Sequence, residues 1–257
     1  MLWACVAALA VLAGPGRALD DSARIGLAPS ALEGAGGERA LGEVDIQSAN
    51  VYDYTFASAP TDWVPTGGTW NQMNRWTCSP QWSWFGGYQR GGLAALWNKR
   101  IFAGDIVMEV YAAFKMGGAT PGGSGEDPRD LNFTLHGNGR DLDSGYNFIF
   151  GGYGNTVTCI MRGTKVLAET QDPKCLIPSP EGRGGIARNM HNEWESVRVA
   201  LRGNHLTLVH NEQLVLEADD PEPPLASGRP AIWTMDNGIM LSRVKVYYAQ
   251  EVPRTSL

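Results

Sequence analysis

The sequence predicts an all-β protein built as an antiparallel sandwich of two sheets. Apolar and polar residues alternate with a period of two in segments of about five to ten residues, and Gly, Pro, Asn and Asp separate these segments. A long stripe of apolar residues at helical spacing is missing from the sequence. A chain of 257 residues suits one large β domain, because all-β folds often exceed 200 residues as a unit.

Nine segments carry the alternation and are predicted to be strands. They are residues 105–115, 130–136, 145–150, 156–161, 196–202, 205–210, 213–217, 231–235 and 241–249. Tight turns are predicted at Arg162-Gly163, Arg202-Gly203-Asn204 and Asn211-Glu212, whose residues tolerate the backbone of short hairpins. Each strand then shows one face to the core and the other outward or into a groove.

The segment 60–87 differs from the rest, because it places five tryptophans in a short run punctuated by glycine. They are Trp63, Trp70, Trp76, Trp82 and Trp84. We predict short strands and a large loop here. Residues 120–128 are rich in Gly and Pro and predict a flexible loop of the kind that often overhangs a binding face.

The first 18 residues are predicted to be a secretory signal. An apolar run from Leu2 to Ala13 is broken by Gly14-Pro15, and small residues precede a cleavage point after Ala18. A short buried helix is the alternative. We expect a flexible linker at 19–42, a single β-sandwich at 43–250 and a tail at 251–257. No stretch of the sequence has membrane-spanning length, so the protein is expected to be exported to the periplasm, the cell surface or the medium.

Composition restricts the partners. The formal charge is −6, the isoelectric point is about 5.2, and Lys and Arg form no cluster. Binding to phosphate backbones depends on basic patches, so nucleic acid is excluded and neutral or cationic ligands fit better.

Three cysteines remain after the predicted leader: Cys78, Cys159 and Cys175. In an oxidising compartment Cys159 and Cys175 could close a loop and stabilise the fold by roughly 3 kcal/mol. An odd number leaves one thiol unpaired, and the sequence does not decide the pairing.

Several landmarks in order resemble the concanavalin-like lectin and glucanase superfamily. They are DWVPTGGTW, LWNKRIFAGDIVMEVYAAFK, the segment 130–152, NEWESVRVALRGNHLTLVHNEQLVLE and GRPAIWTMDNGIMLSRVKVYY. Within the superfamily the sequence is most similar to exported bacterial modules of the 3-keto-disaccharide hydrolase type, over residues 54–248. The resemblance implies a jelly-roll sandwich with carbohydrate on the concave face.

The glucanase signature of that superfamily is incomplete in this chain. Glu43-Val44-Asp45-Ile46-Gln47 matches the first two acids of the motif but has Gln47 or Ser48 where the second Glu should stand. Retaining hydrolysis needs two carboxyl groups, one of which donates a proton, and Gln cannot donate one in this way. Hydrolysis by that mechanism is therefore not supported.

Alternation places candidate binding residues on strand faces. In 130–136 the side chains of Asp130, Asn132, Thr134 and His136 share one face. Polar groups beside aromatic rings are what sugar recognition needs, so we expect a groove lined by residues from four strands. They are Glu109, Tyr111, Asn132, His136, Tyr146 and Trp233. Glu109 and His136 are the catalytic candidates. For each residue alone, a solvated or core position is the alternative.

Asp141 and Asp143 are weak candidates for holding Ca²⁺ or another divalent metal. Alternate carboxylates in a Gly-rich turn can ligate calcium, but the spacing of an EF-hand loop is absent. The alternative is that both residues form the turn by capping their own backbone.

Three functions follow from these observations. The first is an exported carbohydrate-binding sandwich that acts on or beside polysaccharide. The second is a glycoside hydrolase or lyase of the 3-keto-disaccharide hydrolase kind, acting on disaccharides or oxidised disaccharides. The third is a structural or adhesive module without a small ligand.

Overall fold

The computed structural model describes residues 50–56, 60–73, 84–89, 91–115, 130–177, 194–235 and 238–253. The predicted leader, the linker, the loop at 120–128, and the tryptophans Trp76 and Trp82 lie outside these residues. None of the described helices is long and apolar enough to cross a membrane.

Fifteen strands make up most of the described chain. They are β1 Asn50–Thr55, β2 Trp63–Thr66, β3 Thr69–Met73, β4 Trp84–Tyr88, β5 Leu93–Asn98, β6 Ile101–Lys115, β7 Leu131–Gly137, β8 Tyr146–Gly151, β9 Val157–Arg162, β10 Lys165–Thr170, β11 Glu195–Arg202, β12 His205–His210, β13 Gln213–Asp219, β14 Ser227–Met235 and β15 Gly238–Val252. Short helical turns occur at Leu142–Ser144, Gly152–Asn155 and Pro173–Cys175.

The strands form two antiparallel sheets. Sheet A has the order β13, β12, β11, β6, β15, and the far side of β15 pairs with β1 and with β4, which is followed by β3. Sheet B has the order β10, β9, β8, β7, β14, β5, β2. Strand β14 belongs to both, because Ser227 and Gly228 pair with β6 before the strand enters sheet B. The predicted antiparallel sandwich is confirmed.

The core lies between the inner faces of the two sheets. Phe133, Phe148 and Ile160 are neighbours across sheet B and are fully buried, and Val110 and Val199 occupy inner positions of sheet A. Removing one such side chain from water stabilises the fold by about 1.5–3 kcal/mol. The sequence alternates with a period of two because every second side chain of these strands enters the core between the sheets.

The Trp-rich segment contributes to this core. Trp63 is buried in it, and the ring of Trp70 stacks on Phe85 with centroids 5.3 Å apart. Short strands were predicted here, and β2, β3 and β4 confirm them. The two tryptophans close one end of the core.

The nine predicted strands are present with shifts of a few residues, and three others were missed. The missed strands are β1, β5 and β10. In β5 the residues Leu93 to Trp97 are all apolar and the strand is buried on both faces, so it has no alternation to detect. The predicted tight turns are confirmed, with Gly163, Gly203, Asn211 and Glu212 at positive φ.

A bulge at the end of β7 breaks the alternation at His136. Arg229 of β14 pairs with Gly137 and Ala231 pairs with Thr134, so Leu135 and His136 together face one residue of the partner strand. His136 adopts a left-handed backbone with φ of 55°. Its side chain therefore leaves the face of Asn132 and Thr134, and the prediction that His136 shares a face with Asp130, Asn132 and Thr134 is wrong.

Cys159 and Cys175 are free thiols. Thr158 faces the side of Cys175, since its Oγ1 donates to the Cys175 carbonyl oxygen over 2.7 Å. Neighbouring residues of a strand point to opposite faces, so Cys159 points away from Cys175. The disulfide considered between these two residues is absent, and Cys78 lies outside the described residues.

Candidate functional site

The outer face of sheet B, on the side away from sheet A, carries two tryptophans beside two amides and one hydroxyl. We call it face B and define it by Ala95 and Trp97 of β5, Ala231 and Trp233 of β14, Asn132 and Thr134 of β7, and Asn147 and Ile149 of β8. All eight side chains are buried, whereas Val64 on the edge strand β2 is 41% exposed. The middle of sheet B is thus covered on both sides.

Each indole of face B lies beside small residues. Trp97 is directly opposite Ala231, and Trp233 is opposite Ala95. A Cβ at Gly137 would come within 2.5 Å of the Trp97 ring, so the ring rests against the backbone of β7. Small partners leave room for a bulky ring to lie along the sheet, and a side chain at Gly137 would displace it.

One chain of hydrogen bonds on face B is complete. The Trp233 Nε1–H donates to Thr134 Oγ1 over 3.0 Å, and that hydroxyl donates to Asn147 Oδ1 over 2.7 Å. Asn147 Nδ2 in turn donates to the carbonyl oxygens of Leu142 and Gly163 over 2.9 and 3.3 Å. Every polar atom of this chain has a partner, so it fixes the Trp233 ring and the Asn147 amide.

A second group on the same face is incomplete. Asn132 Nδ2 donates to Asp130 Oδ2 over 2.6 Å, and the Asp130 carboxylate also accepts from Thr234 Oγ1 and the Met235 backbone N–H. Asn132 Oδ1 and Trp97 Nε1 have no hydrogen-bond partner among the described residues, although Asn132 is 0% and Trp97 1% exposed. An unpaired buried polar group costs about 1–3 kcal/mol, so each such group calls for an explanation.

Face B therefore offers one free acceptor, one free donor and the apolar surface of two indoles. These groups suit a ligand that combines hydroxyls with apolar C–H surface. Among the described residues, face B brings together no nucleophile with a base and no pair of carboxylates.

Two predicted site residues lie on the opposite side of the sandwich. Glu109 and Tyr111 are on the outer face of sheet A, which we call face A, beside Lys245. Glu109 Oε1 is 3.8 Å from Lys245 Nζ, and a hydrogen bond with Glu109 together with burial raises the pKa of Tyr111 to about 12. The expectation that Glu109 and Tyr111 share a groove with Asn132 is wrong, because alternation fixes the face of a strand but not the sheet it joins.

His136 and Tyr146 face the core side at one end of the sandwich. His136 Nδ1 donates to the Leu225 carbonyl oxygen over 2.7 Å, and burial lowers its pKa. The Tyr146 hydroxyl accepts from the Leu225 backbone N–H and donates to Asp220 Oδ2 over 2.7 Å. Arg162 completes this set by donating to the same Asp220 oxygen. We call Tyr146, Asp220 and Arg162 the Asp220 cluster.

Tyr146 is therefore a core residue and not the floor of a groove. Burial, followed by its bond to Asp220, raises its pKa to about 12. Phe148 and Phe150, on the same side of β8, are core residues too.

The structure also assigns Asp141 a place in the turn after β7. Its Oδ2 accepts from Asn138 Nδ2 over 3.0 Å, and its backbone N–H donates to Asn138 Oδ1 over 2.8 Å. Within the described ranges no group of three or more His, Cys, Asp or Glu side chains is placed to hold a metal ion. Asp141 and Asp143 belong to the turn around Leu142–Ser144.

Of the predicted binding residues, Asn132 and Trp233 share face B. Trp97, Thr134 and Asn147 were missed as site residues. Trp97 lies in a strand without alternation, and Asn147 lies on the face of β8 opposite Tyr146, the residue of that strand that was predicted to bind. Alternation along 145–150 does predict that Asn147 points to the face opposite Tyr146. Its pairing with Thr134 depends on the register between β7 and β8.

No family model matches the sequence, and no curated protein matches it. Among solved structures, a Bacillus subtilis protein of unknown function with a galectin-like fold matches with a TM-score of 0.53 and 15% identity, covering 79% of this chain and 96% of that one. The VIP36 exoplasmic/lumenal domain, in its Ca²⁺/Man2-bound form, matches with a TM-score of 0.50 and 10% identity, covering 80% and 89%.

The carbohydrate-binding module CBM66 from Bacillus subtilis matches with a TM-score of 0.48 and 16% identity, over 72% of this chain and 95% of that one. The likeness to the galectin-like protein and to the VIP36 domain, together with the two antiparallel sheets, shows that the chain shares their all-β sandwich fold.

Proposed function

We propose that the protein is an exported carbohydrate-binding sandwich and that face B is its binding site. The observation that carries this proposal is the pair of unpartnered buried groups, Asn132 Oδ1 and Trp97 Nε1, on a face that also presents two indoles. Sugars offer hydroxyls that donate and accept, and apolar C–H surfaces that stack on aromatic rings. The VIP36 domain, which shares the fold, was solved with Man2 bound, and this adds support.

Face B is buried, so binding requires an opening. Trp97, Trp233 and Asn132 are between 0% and 2% exposed. Were the face to open to solvent, the hydroxyls of a ligand would supply the partners that Asn132 and Trp97 lack. Binding would relieve two unpaired groups at once, and this gain offsets part of the free energy of opening.

Export completes the proposal. The apolar run before Ala18 supports a cleaved leader, and the net charge of −6 suits a protein that meets neutral polysaccharide better than nucleic acid. Mass spectrometry of the protein secreted from an expressing cell would test the leader, with cleavage after Ala18 as the expected result.

The hydrolase alternative has weaker support. General acid–base chemistry needs its two groups around one substrate, yet Glu109 lies on face A and His136 points to the core side of sheet B. The likeness to 3-keto-disaccharide hydrolases thus supplies a substrate class to try and no described catalytic pair. A divalent metal has no fitting set of ligands among the described residues, so no step is assigned to one.

A glycan panel on the chain lacking residues 1–18 tests the proposal. We expect saturable binding by the wild type without product, lost or weakened in Asn132→Ala and retained in Glu109→Gln. Oxidised disaccharides and added Ca²⁺ belong in the panel. Product formed by the wild type and lost in Glu109→Gln would instead establish the hydrolase, and absence of any binding or product would establish the structural module.

A further inference from the structure

We infer that the ligand of face B is a neutral saccharide, bound through a hydroxyl that donates to Asn132 Oδ1, and that Asp130 is the positioning residue for this selectivity. This inference rests on the proposed function and names the substrate class of the same site. It follows from the direction in which the Asn132 amide is held.

The Asn132 amide is oriented by its hydrogen bond to Asp130. Its NH₂ donates to Asp130 Oδ2 over 2.6 Å, because a carboxylate oxygen accepts and the amide nitrogen donates. The carbonyl oxygen of the same amide is then the atom left without a partner among the described residues. Asn132 therefore presents an acceptor, and a ligand atom meeting it must donate.

Asp130 is itself held firmly. Its Oδ1 accepts from Thr234 Oγ1 over 2.7 Å and from the Met235 backbone N–H over 3.0 Å. Both bonds come from β14, the strand next to Asn132 in sheet B. The carboxylate cannot turn without breaking them, so the amide that it orients cannot turn either.

The Trp97 Nε1–H, which also has no described partner, discriminates less between neutral and anionic ligands. The Trp97 Nε1–H donates, so it takes any ligand oxygen, whether of a hydroxyl, a carboxylate or a sulfate. Selection against anions therefore falls to Asn132 where the anionic group replaces the donating hydroxyl, because an anionic oxygen has no proton to give and meets a carbonyl oxygen there.

The described cation at one end of face B is already engaged. Arg229 pairs with Gly137, and its Nε and Nη1 donate to the carbonyl oxygens of Lys99 and Asn138 over 3.4 and 3.2 Å. Recognition of uronates or sulfated sugars usually relies on arginine that can form a fork with the anion. The geometry of Arg229 directs two of its donors to the backbone instead.

The test compares matched saccharides that differ only in charge. Neutral oligosaccharides and their uronate or sulfated counterparts are titrated calorimetrically into the chain lacking residues 1–18. We expect the neutral member of each pair to bind about tenfold more tightly or better, since one unmade bond at a buried group is worth that much. Equal or tighter binding of the anionic members would overturn the inference and leave carbohydrate binding intact.

Asp130→Asn tests the positioning role. An asparagine at 130 can donate as well as accept, so the Asn132 amide can turn and present its NH₂ to the ligand. We expect the preference for neutral over anionic members to shrink severalfold, a change of selectivity that a loss of stability would not produce. Asp141→Asn, in the exposed turn, is the matched control and should keep the full preference.

The experiments distinguish failure of the proposed function from failure of the inference about Asp130. Absence of binding by every saccharide, in protein shown to be folded by circular dichroism, overturns the proposed function and this inference with it. Should Asp130→Asn not fold, the charge preference of the wild type still decides the inference. A preference unchanged in folded Asp130→Asn contradicts the positioning role.

Discussion

Two of the buried polar groups in the described residues differ in how their hydrogen bonds are completed. In the Asp220 cluster, Asp220 Oδ2 accepts from Tyr146 and Arg162, and Oδ1 accepts from the Glu222 backbone N–H. On face B, Asn132 and Trp97 each keep one polar atom without a described partner. The hydrogen bonds of the Asp220 cluster join residues at one end of the sandwich. Asn132 and Trp97 each keep one polar atom that a ligand could bind.

The pKa of Asp220 reflects the completed hydrogen bonds of its cluster. Burial acts to raise the pKa of Asp220, but the hydrogen bonds from Tyr146, Glu222 and Arg162 outweigh it and hold the pKa below its usual value. A carboxylate in this state stabilises the fold. Completeness of bonding is thus what distinguishes these two groups, although Tyr52, Trp63, Asn98 and His136 outside face B also keep a polar atom without a described partner.

The largest expected effect is on the Asp220 cluster. Asp220→Ala leaves Arg162 and Tyr146 without their shared partner, and breaking a buried ion pair typically costs about 3–5 kcal/mol of unfolding free energy. Urea denaturation measures this. The neighbouring Asp219 is exposed, so Asp219→Ala should change stability by less than about 0.5 kcal/mol. Equal effects of the two changes would show that the cluster is not the structural anchor.

Two asparagines on face B sharpen the comparison. Asn147 has all of its hydrogen bonds made, so Asn147→Ala should lower stability by about 1–3 kcal/mol. Asn132 has one atom open, so Asn132→Ala should lower stability less and weaken binding of a neutral saccharide by about tenfold. Thermal denaturation and calorimetric titration of both variants are the measurements. A larger loss of affinity in Asn147→Ala would reverse the assignment.

His136 predicts a pH dependence of stability. Burial lowers its pKa in the folded state, so the neutral form is the one that the fold accepts. Its contribution is complete above its ordinary pKa of about 6.5 and is lost as the pH falls below that value towards the lowered pKa. We expect His136→Gln to flatten this part of the stability profile. An unchanged difference between pH 7.5 and 5 would contradict the prediction.

The smallest expected effect is on face A. Glu109 Oε1 lies 3.8 Å from Lys245 Nζ, too far for a hydrogen bond, and a glutamine at 109 keeps an oxygen for the bond with Tyr111. Glu109→Gln should change the unfolding free energy by less than about 0.5 kcal/mol and leave saccharide binding unchanged. A strong loss of binding in this variant would move the site to face A.

Alternation predicted the sandwich and the face of most residues, because a strand with one buried face needs an apolar side chain at every second position. It placed Asn132 and Thr134 correctly together. It failed at His136, since a bulge adds one residue without leaving a mark in composition, and at Trp97, whose strand is buried on both sides. Which strands join which sheet depends on long-range pairing, and for this reason Glu109 was grouped with residues of the opposite face.

The most direct measurement follows the tryptophan indole N–H signals by NMR during titration with a neutral oligosaccharide, with Trp97→Phe and Trp233→Phe used for assignment. The account predicts that the Trp97 signal shifts strongly because its N–H gains a partner, while the Trp233 signal, already bonded to Thr134, shifts less. An unmoved Trp97 signal under saturating saccharide would contradict the assignment of face B as the binding site.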